Sequence, residues 1–345
     1  MVSADVALKA SMYFWMMMFI GYAATDTLPP TTILFACLDR LRRAQFAFSH
    51  RALLRSMTTF PDKFMAAYSE NFWDCPKKPV KGAPKCDTLM MKTFVCSIFG
   101  LAGVQMLIFI SACSAMSRPA VSQAAKSAAC LVTMIFNALF TVSDLYQTTK
   151  ADFPTNEFPK EGVYVNAVLW LILAGLAYSG WQEAGAFKPK FEGIVMPKGQ
   201  RGRFGLPLAI GSVNLLFYGI PLVLFADAFV KDGFGRGDMM AGFTPAVNFL
   251  CTLVFGNIGK MCLLNVAMTN LVSQAGGEDA QYRLLRGGTH AQMFSLGMFG
   301  KDAIVNMLIG FEDPMRLFVF ATSFAILFYQ INVWAGAPYK LDKVK

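Results

Sequence analysis

Histidine is nearly missing from this 345-residue chain: His50 and His290 are its whole supply of imidazole. Both stand outside the long apolar runs, which excludes a bis-histidine haem inside a helical bundle. Ligation of a pigment by Asn, Gln or a carboxylate stays open, without a signature of its own. Catalytic motifs are missing as well. There is no H-E-x-x-H and no G-x-S-x-G, and the acids do not cluster as metal ligands would. "GNIGK", Gly256 to Lys260, has neither the spacing nor the setting of a phosphate-binding loop. The eight cysteines include no C-x-x-C, so a zinc ribbon and a thioredoxin-like motif are excluded. No N-x-S/T sequon occurs, which argues against a surface glycoprotein of the secretory pathway. The opening residues carry no Arg-rich amphipathic run, so no transit peptide is visible. These absences predict a protein that is not an enzyme.

Charge is scarce too. Asp, Glu, Lys and Arg make up 15% of the chain, against about 25% in soluble domains. What fills the space is apolar: 55% hydrophobic residues, 32 Phe and 21 Met, with a mean hydropathy of +0.45. Apolar runs of span length alternate with short charged loops, the pattern of a polytopic membrane protein. The formal net charge of +9 then reads as basic loops facing anionic headgroups rather than as a nucleic-acid surface. Phe and Met supply adaptable surfaces toward lipids, pigments or other helices.

Along the chain, an apolar segment from Ala7 to Ala24 either spans or lies in the interface, and Pro29 and Pro30 end it. From Thr31 to Met57 leucines and phenylalanines alternate with Arg40, Arg42, Arg43, Arg51 and Arg55, the pattern of a basic amphipathic helix on a headgroup layer or a partner. The Pro- and Lys-rich loop that follows holds Cys75 and Cys86 in "CPKKPVKGAPKC", a spacing that permits a disulfide on an oxidising side. The other six cysteines lie in or beside apolar stretches, as small hydrophobes.

Six stronger spans are predicted: Thr93–Met116, Ala128–Tyr146, Val163–Trp181, Phe204–Val230, Phe243–Leu271 and Met315–Ala335. Trp170 and Trp181 read as interface markers, and Ala291–Phe311 as interfacial or re-entrant. The organisation that follows is an arm and loop over 1–92, a three-helix unit over 93–187, a basic loop over 188–203, a second three-helix unit over 204–336 and a polar tail over 337–345. Two triads of odd number would have opposite topology, as inverted-repeat transporters do. The fold class expected is an all-α transmembrane bundle with six or seven spans plus the amphipathic interfacial helix.

Lys260 is the exception inside an apolar run, with Asn257 one turn before it. As a helix, Phe243–Leu271 is about 43 Å long, more than a hydrocarbon core of about 30 Å. Lys260 can therefore lie near one face and snorkel outward. The sharper reading makes Asn257 and Lys260 an intramembrane polar site. If the spans alternate, Asp144 falls on the far side, and Glu183, Glu312 and Asp313 are the candidate counter-ions. Asn137, Asn166, Asn214, Asn248, Gln330 and Asn332 read as hydrogen-bonding groups between helices.

The functional expectation is a non-catalytic accessory or scaffolding subunit of a larger complex in an energy-converting organelle membrane, thylakoid or mitochondrial inner membrane. Its partners are lipids and other membrane subunits, with no nucleic acid. The alternative is a small-solute or metabolite transporter built from two inverted three-helix units, with Lys260 in or near its pathway.

Overall fold

A computed structural model describes residues 2–24, 75, 88–151, 153–155, 160–189, 202–233, 237–308 and 314–336. Among them the chain is all-helical, without strands. Seven long helices carry the fold: α1 (Ala4–Ala24), α2 (Thr88–Met116), α3 (Gln123–Gln147), α4 (Lys160–Glu183), α5 (Gly205–Leu224), α6 (Pro245–Leu308) and α7 (Pro314–Ala335). Of these, α3, α4, α5 and the stretch Pro245–Met293 of α6 are long and apolar enough to cross a membrane, and Leu101–Met116 of α2 is a shorter apolar stretch. The predicted arm over Thr31–Met57, with its five arginines, lies outside the described residues.

Local chemistry sets the helix ends. Ser122 caps α3, its hydroxyl accepting from Ala125 N at 3.3 Å. Thr244 does the same for α6, accepting from Val247 N at 3.2 Å, and Pro245 occupies the first helical position, where no donor is missed. The far end of α4 closes on Gly185 at φ +94°, with Ala186 N donating to Trp181 O at 2.8 Å, a Schellman-type stop. Pro221 lies inside α5. It cannot donate to the ladder, and the helix ends one turn later, short of the predicted Val230.

The helices alternate in direction. One end of the bundle gathers the starts of α1, α3 and α5 and the end of α4. Asp5 of α1 meets Lys126 of α3, Glu183 of α4 accepts from Ala4 N, and Phe204 packs on Tyr282 of α6. The other end joins the start of α2 to the start of α6 through Phe94 and Phe243, and the loop after α3 to α6 through Phe153 and Phe249.

The first apolar segment is part of the bundle. Ala4, Ala7, Leu8, Ser11 and Trp15 are buried, because α1 packs against α2, α3 and α4. The fifth predicted span and the interfacial segment after it form one run, Pro245–Leu308, broken by Gly277 at φ 60°, ψ −149°. The polar text around Gly277 is a break between two helical pieces. Such a φ suits glycine and strains other residues.

The core is built from close approaches. A Cβ on Gly180 of α4 would lie 2.9 Å from Ala7 Cβ and 3.1 Å from Cys130 Sγ, and one on Gly259 of α6 would lie 2.8 Å from Leu222 Cβ of α5. Small residues at these crossings let backbones meet, the packing on which helices in lipid depend.

Candidate functional site

Lys260 does not reach outward. It is half-buried, and its Nζ donates to Ser143 Oγ of α3 at 2.6 Å. The same ammonium lies 5.2 Å from the centroid of the Phe140 ring, a cation–π distance. Asp144, the residue after Ser143, accepts a hydrogen bond from Trp170 Nε1 at 3.1 Å, and its charge acts on Lys260. The α3 helix thus presents Phe140, Ser143 and Asp144 along one edge, at the i, i+3, i+4 spacing that shares a helix face.

Behind this edge the space is filled with rings. Trp15 sits 4.9 Å from Trp170, 5.7 Å from Phe109 and 5.8 Å from Phe140. Phe140 stacks on Trp170 at 5.3 Å, and Phe14 meets Trp170 edge-on at 4.9 Å. Helices α1, α2, α3 and α4 each contribute to this cluster, and α6 contributes the lysine. Trp170 is buried in the bundle. Trp181 is half-buried, with its Nε1 donating to Phe187 O.

Asn257, Lys260's predicted companion, is half-buried, and its side-chain oxygen has no hydrogen-bond partner. Among the predicted counter-ions, Glu183 belongs to the opposite end of the bundle, where Oε2 accepts from Ala4 N at 3.2 Å. Glu312 and Asp313 lie outside the described residues, as do Arg40, Arg42, Arg43, Arg51, Arg55 and Cys86. Cys75 carries a disulfide. Cys113, Cys130, Cys251 and Cys262 are free and buried. The alternation argument that set Asp144 apart from Lys260 is overturned. It placed Lys260 near one membrane face, at the edge of a span ending at Leu271, whereas α6 continues to its break at Gly277 and packs antiparallel to α3. Gly276 therefore meets Ala125 while Lys260 meets Ser143, near the other end of α3.

A second polar cluster went unread in the sequence. Lys126 is buried, its Nζ 2.7 Å from Asp5 Oδ1. Next to it, Ser127 Oγ donates to Trp181 O at 3.0 Å and accepts from Phe187 N at 2.9 Å. Ser179 accepts from Val2 N at 2.8 Å. One signal was there: Lys126 stands in "QAAKSAACLV", a lone cation among mostly small or apolar neighbours. A third contact, Asn265 Nδ2 to Gln105 O and Oε1 at 3.0 and 2.9 Å, ties α6 to α2.

No protein-family model, no curated protein and no solved structure matches this chain. The site must be read from its own chemistry. The lysine, serine and aspartate are held by neighbours and packed beside rings, an arrangement suited to joining helices. Among the described residues no group of three or more His, Cys, Asp or Glu could hold a metal ion.

Proposed function

We propose that the chain is a non-catalytic integral-membrane subunit, accessory or scaffolding in role, within a larger complex of an energy-converting organelle membrane. In this reading α1, α2 and α7 join the four long apolar helices as further crossings, and the basic arm lies on the headgroup layer or on a partner. The observation that carries it is the contrast between inside and outside. Two cations within the bundle have partners, Lys260 with Ser143 and Lys126 with Asp5, and rings close the space beside Lys260. Large apolar side chains face outward instead: Leu139 and Val142 on α3, Val165 and Leu171 on α4, Phe217 and Leu224 on α5. A surface of that kind supports contact with lipids, pigments and neighbouring helices. The test is purification from native membranes in mild detergent, native sizing, and mass spectrometry of what co-migrates. Fixed partners at constant stoichiometry support the scaffold, and a lone monomer or homodimer sinks it.

A small-solute transporter is the second reading, favoured by one observation: Lys260 meets Ser143, the neighbour of Asp144 in the chain, within the helix bundle. Intramembrane ionisable groups mark solute and proton paths in many transporters. Uptake into liposomes by the chain alone, altered in rate by Lys260→Met, is the result that would favour it.

A further inference from the structure

Three buried donors on α1 and α3 find no acceptor: Ser11 Oγ, Trp15 Nε1 and Asn137 Nδ2. Ser11 is 0% exposed, and Trp15 and Asn137 are each 2% exposed. Contacts on either side place the three at one level of the bundle. Toward one end, Cys130 Sγ of α3 lies 3.9 Å from Ala4 O, and Gly180 of α4 meets Ala7. Toward the other, Trp15 lies 5.8 Å from Phe140 and 4.9 Å from Trp170. Helices α1 and α3 therefore run side by side in the same direction, with α4 opposed. Ser11 is one turn beyond Ala7 and one turn before Trp15, on the face they share. It faces the part of α3 between Cys130 and Phe140, which holds Asn137, and the part of α4 between Trp170 and Gly180, which holds Ala174 and Ala177. Asn137 turns to the same seam. Thr141, one turn further along its face, donates to Ala167 O of α4 at 3.3 Å.

The chemistry of these atoms selects a ligand. A cation is excluded, because an indole N–H and an amide NH₂ only donate. An anion would be buried without a counter-charge, since Lys126 is held by Asp5 at 2.7 Å and Lys260 by Ser143 at 2.6 Å. A lipid or pigment carbonyl needs a way in, and Ser11, Trp15, Asn137, Ala174 and Ala177 are all buried. Water meets each demand. It is neutral, small enough for an enclosed site, and bonds buried polar groups that lack other partners. Helix α4 brings Ala174 and Ala177 to this level, short side chains with no polar atom to compete. We propose that the seam of α1, α3 and α4 binds one structural water, which accepts from Trp15 Nε1 and Asn137 Nδ2 and donates to Ser11 Oγ. The water then shares in holding the first helix, linking α1 to α3 midway between the Asp5–Lys126 pair and the aromatic cluster. It does so whether or not the chain is a scaffold.

Two measurements on the full-length protein test it. A crystal structure grown in a lipid mesophase, at a resolution that shows ordered water, should carry a peak within hydrogen-bond distance of all three atoms. Reversible unfolding of Ser11→Ala in mixed micelles is the second. A hydroxyl that serves the water stabilises the fold, so its loss should raise the unfolding equilibrium constant by about threefold, even after alanine's better helix propensity. A hydroxyl buried without a partner destabilises the fold, so its loss would leave that constant unchanged or lower it. In an Asn137→Leu background, where the leucine takes the water's place, the same Ser11→Ala change should lose its penalty. A map without a peak beside Ser11, Trp15 and Asn137 overturns the proposal, as does a Ser11→Ala chain at least as stable as wild type. A direct hydrogen bond between Ser11 and Asn137 in place of the water overturns it too. If Asn137→Leu fails to fold, the peak and the Ser11→Ala comparison still decide.

Discussion

Converting Asp5 to Asn keeps the shape of the side chain and removes the charge that faces Lys126. The ammonium stays where it is, with 4% of its side chain exposed, while the Asp5 side chain is 33% exposed. Breaking a buried ion pair by deleting one partner costs about 3–5 kcal/mol. Solvent reaches a third of Asp5 and screens part of that, which brings the expected loss to about 2–3 kcal/mol. Asp5 also stands in the first turn of α1, where a negative charge favours the helix by a further ~0.5 kcal/mol. Reversible unfolding in mixed micelles of a mild detergent and dodecyl sulfate reads the loss directly. The informative comparison is the double variant Asp5→Asn, Lys126→Met. Once the lysine is gone, nothing charged is stranded, and the double variant should recover at least about 1 kcal/mol relative to the sum of the single changes. An Asp5→Asn chain within about 0.5 kcal/mol of wild type, or strictly additive losses, would refute the argument that this contact holds α1 to the bundle.

Gly259→Ala should cost about 1–3 kcal/mol by the same unfolding measurement, since its new Cβ would press on Leu222 Cβ at 2.8 Å and Gly219 O at 2.9 Å. Gly175→Ala, with nothing within 4 Å, should be neutral or stabilise by up to about 1 kcal/mol through helix propensity. Trp15→Ala removes the ring shared by α1, α2, α3 and α4, and should lower stability by about 3–5 kcal/mol with loss of near-ultraviolet circular dichroism. Lys260→Met keeps the apolar stem on Phe140 and removes one hydrogen bond to Ser143, so its stability should change by less than about 1.5 kcal/mol. A much larger loss would show that Asp144 depends on the lysine.

Composition made the helical membrane class legible, because apolar runs of about twenty residues are long enough to cross a bilayer. It also pointed to Lys260, since one cation in an apolar run stands out. It could not choose the partner. Asp144 and Glu183 are both near helix ends, and which end Lys260 meets depends on how far α6 continues before it breaks. The predicted span stopped at Leu271 because polar residues follow it, whereas the helix runs on to its break at Gly277. Trp170 shows a related limit: a tryptophan in an apolar segment suits the headgroup layer as well as a core, and its indole N–H is held by Asp144. Asp5 and Lys126 were invisible as a pair because no periodicity links residues so far apart.

That distance has a consequence for how the protein is made. The backbone of Val2 is bonded to Ser179, 177 residues further along the chain. At translation rates of roughly 5–20 residues per second, α1 leaves the ribosome on the order of ten seconds before the helix it closes against. Phe109 and Lys126 are made only part-way through that interval, and Trp170 near its end. The first helix of this protein therefore begins life as a waiting segment, exposed to whatever chaperone or insertase shields it until α3 and α4 arrive.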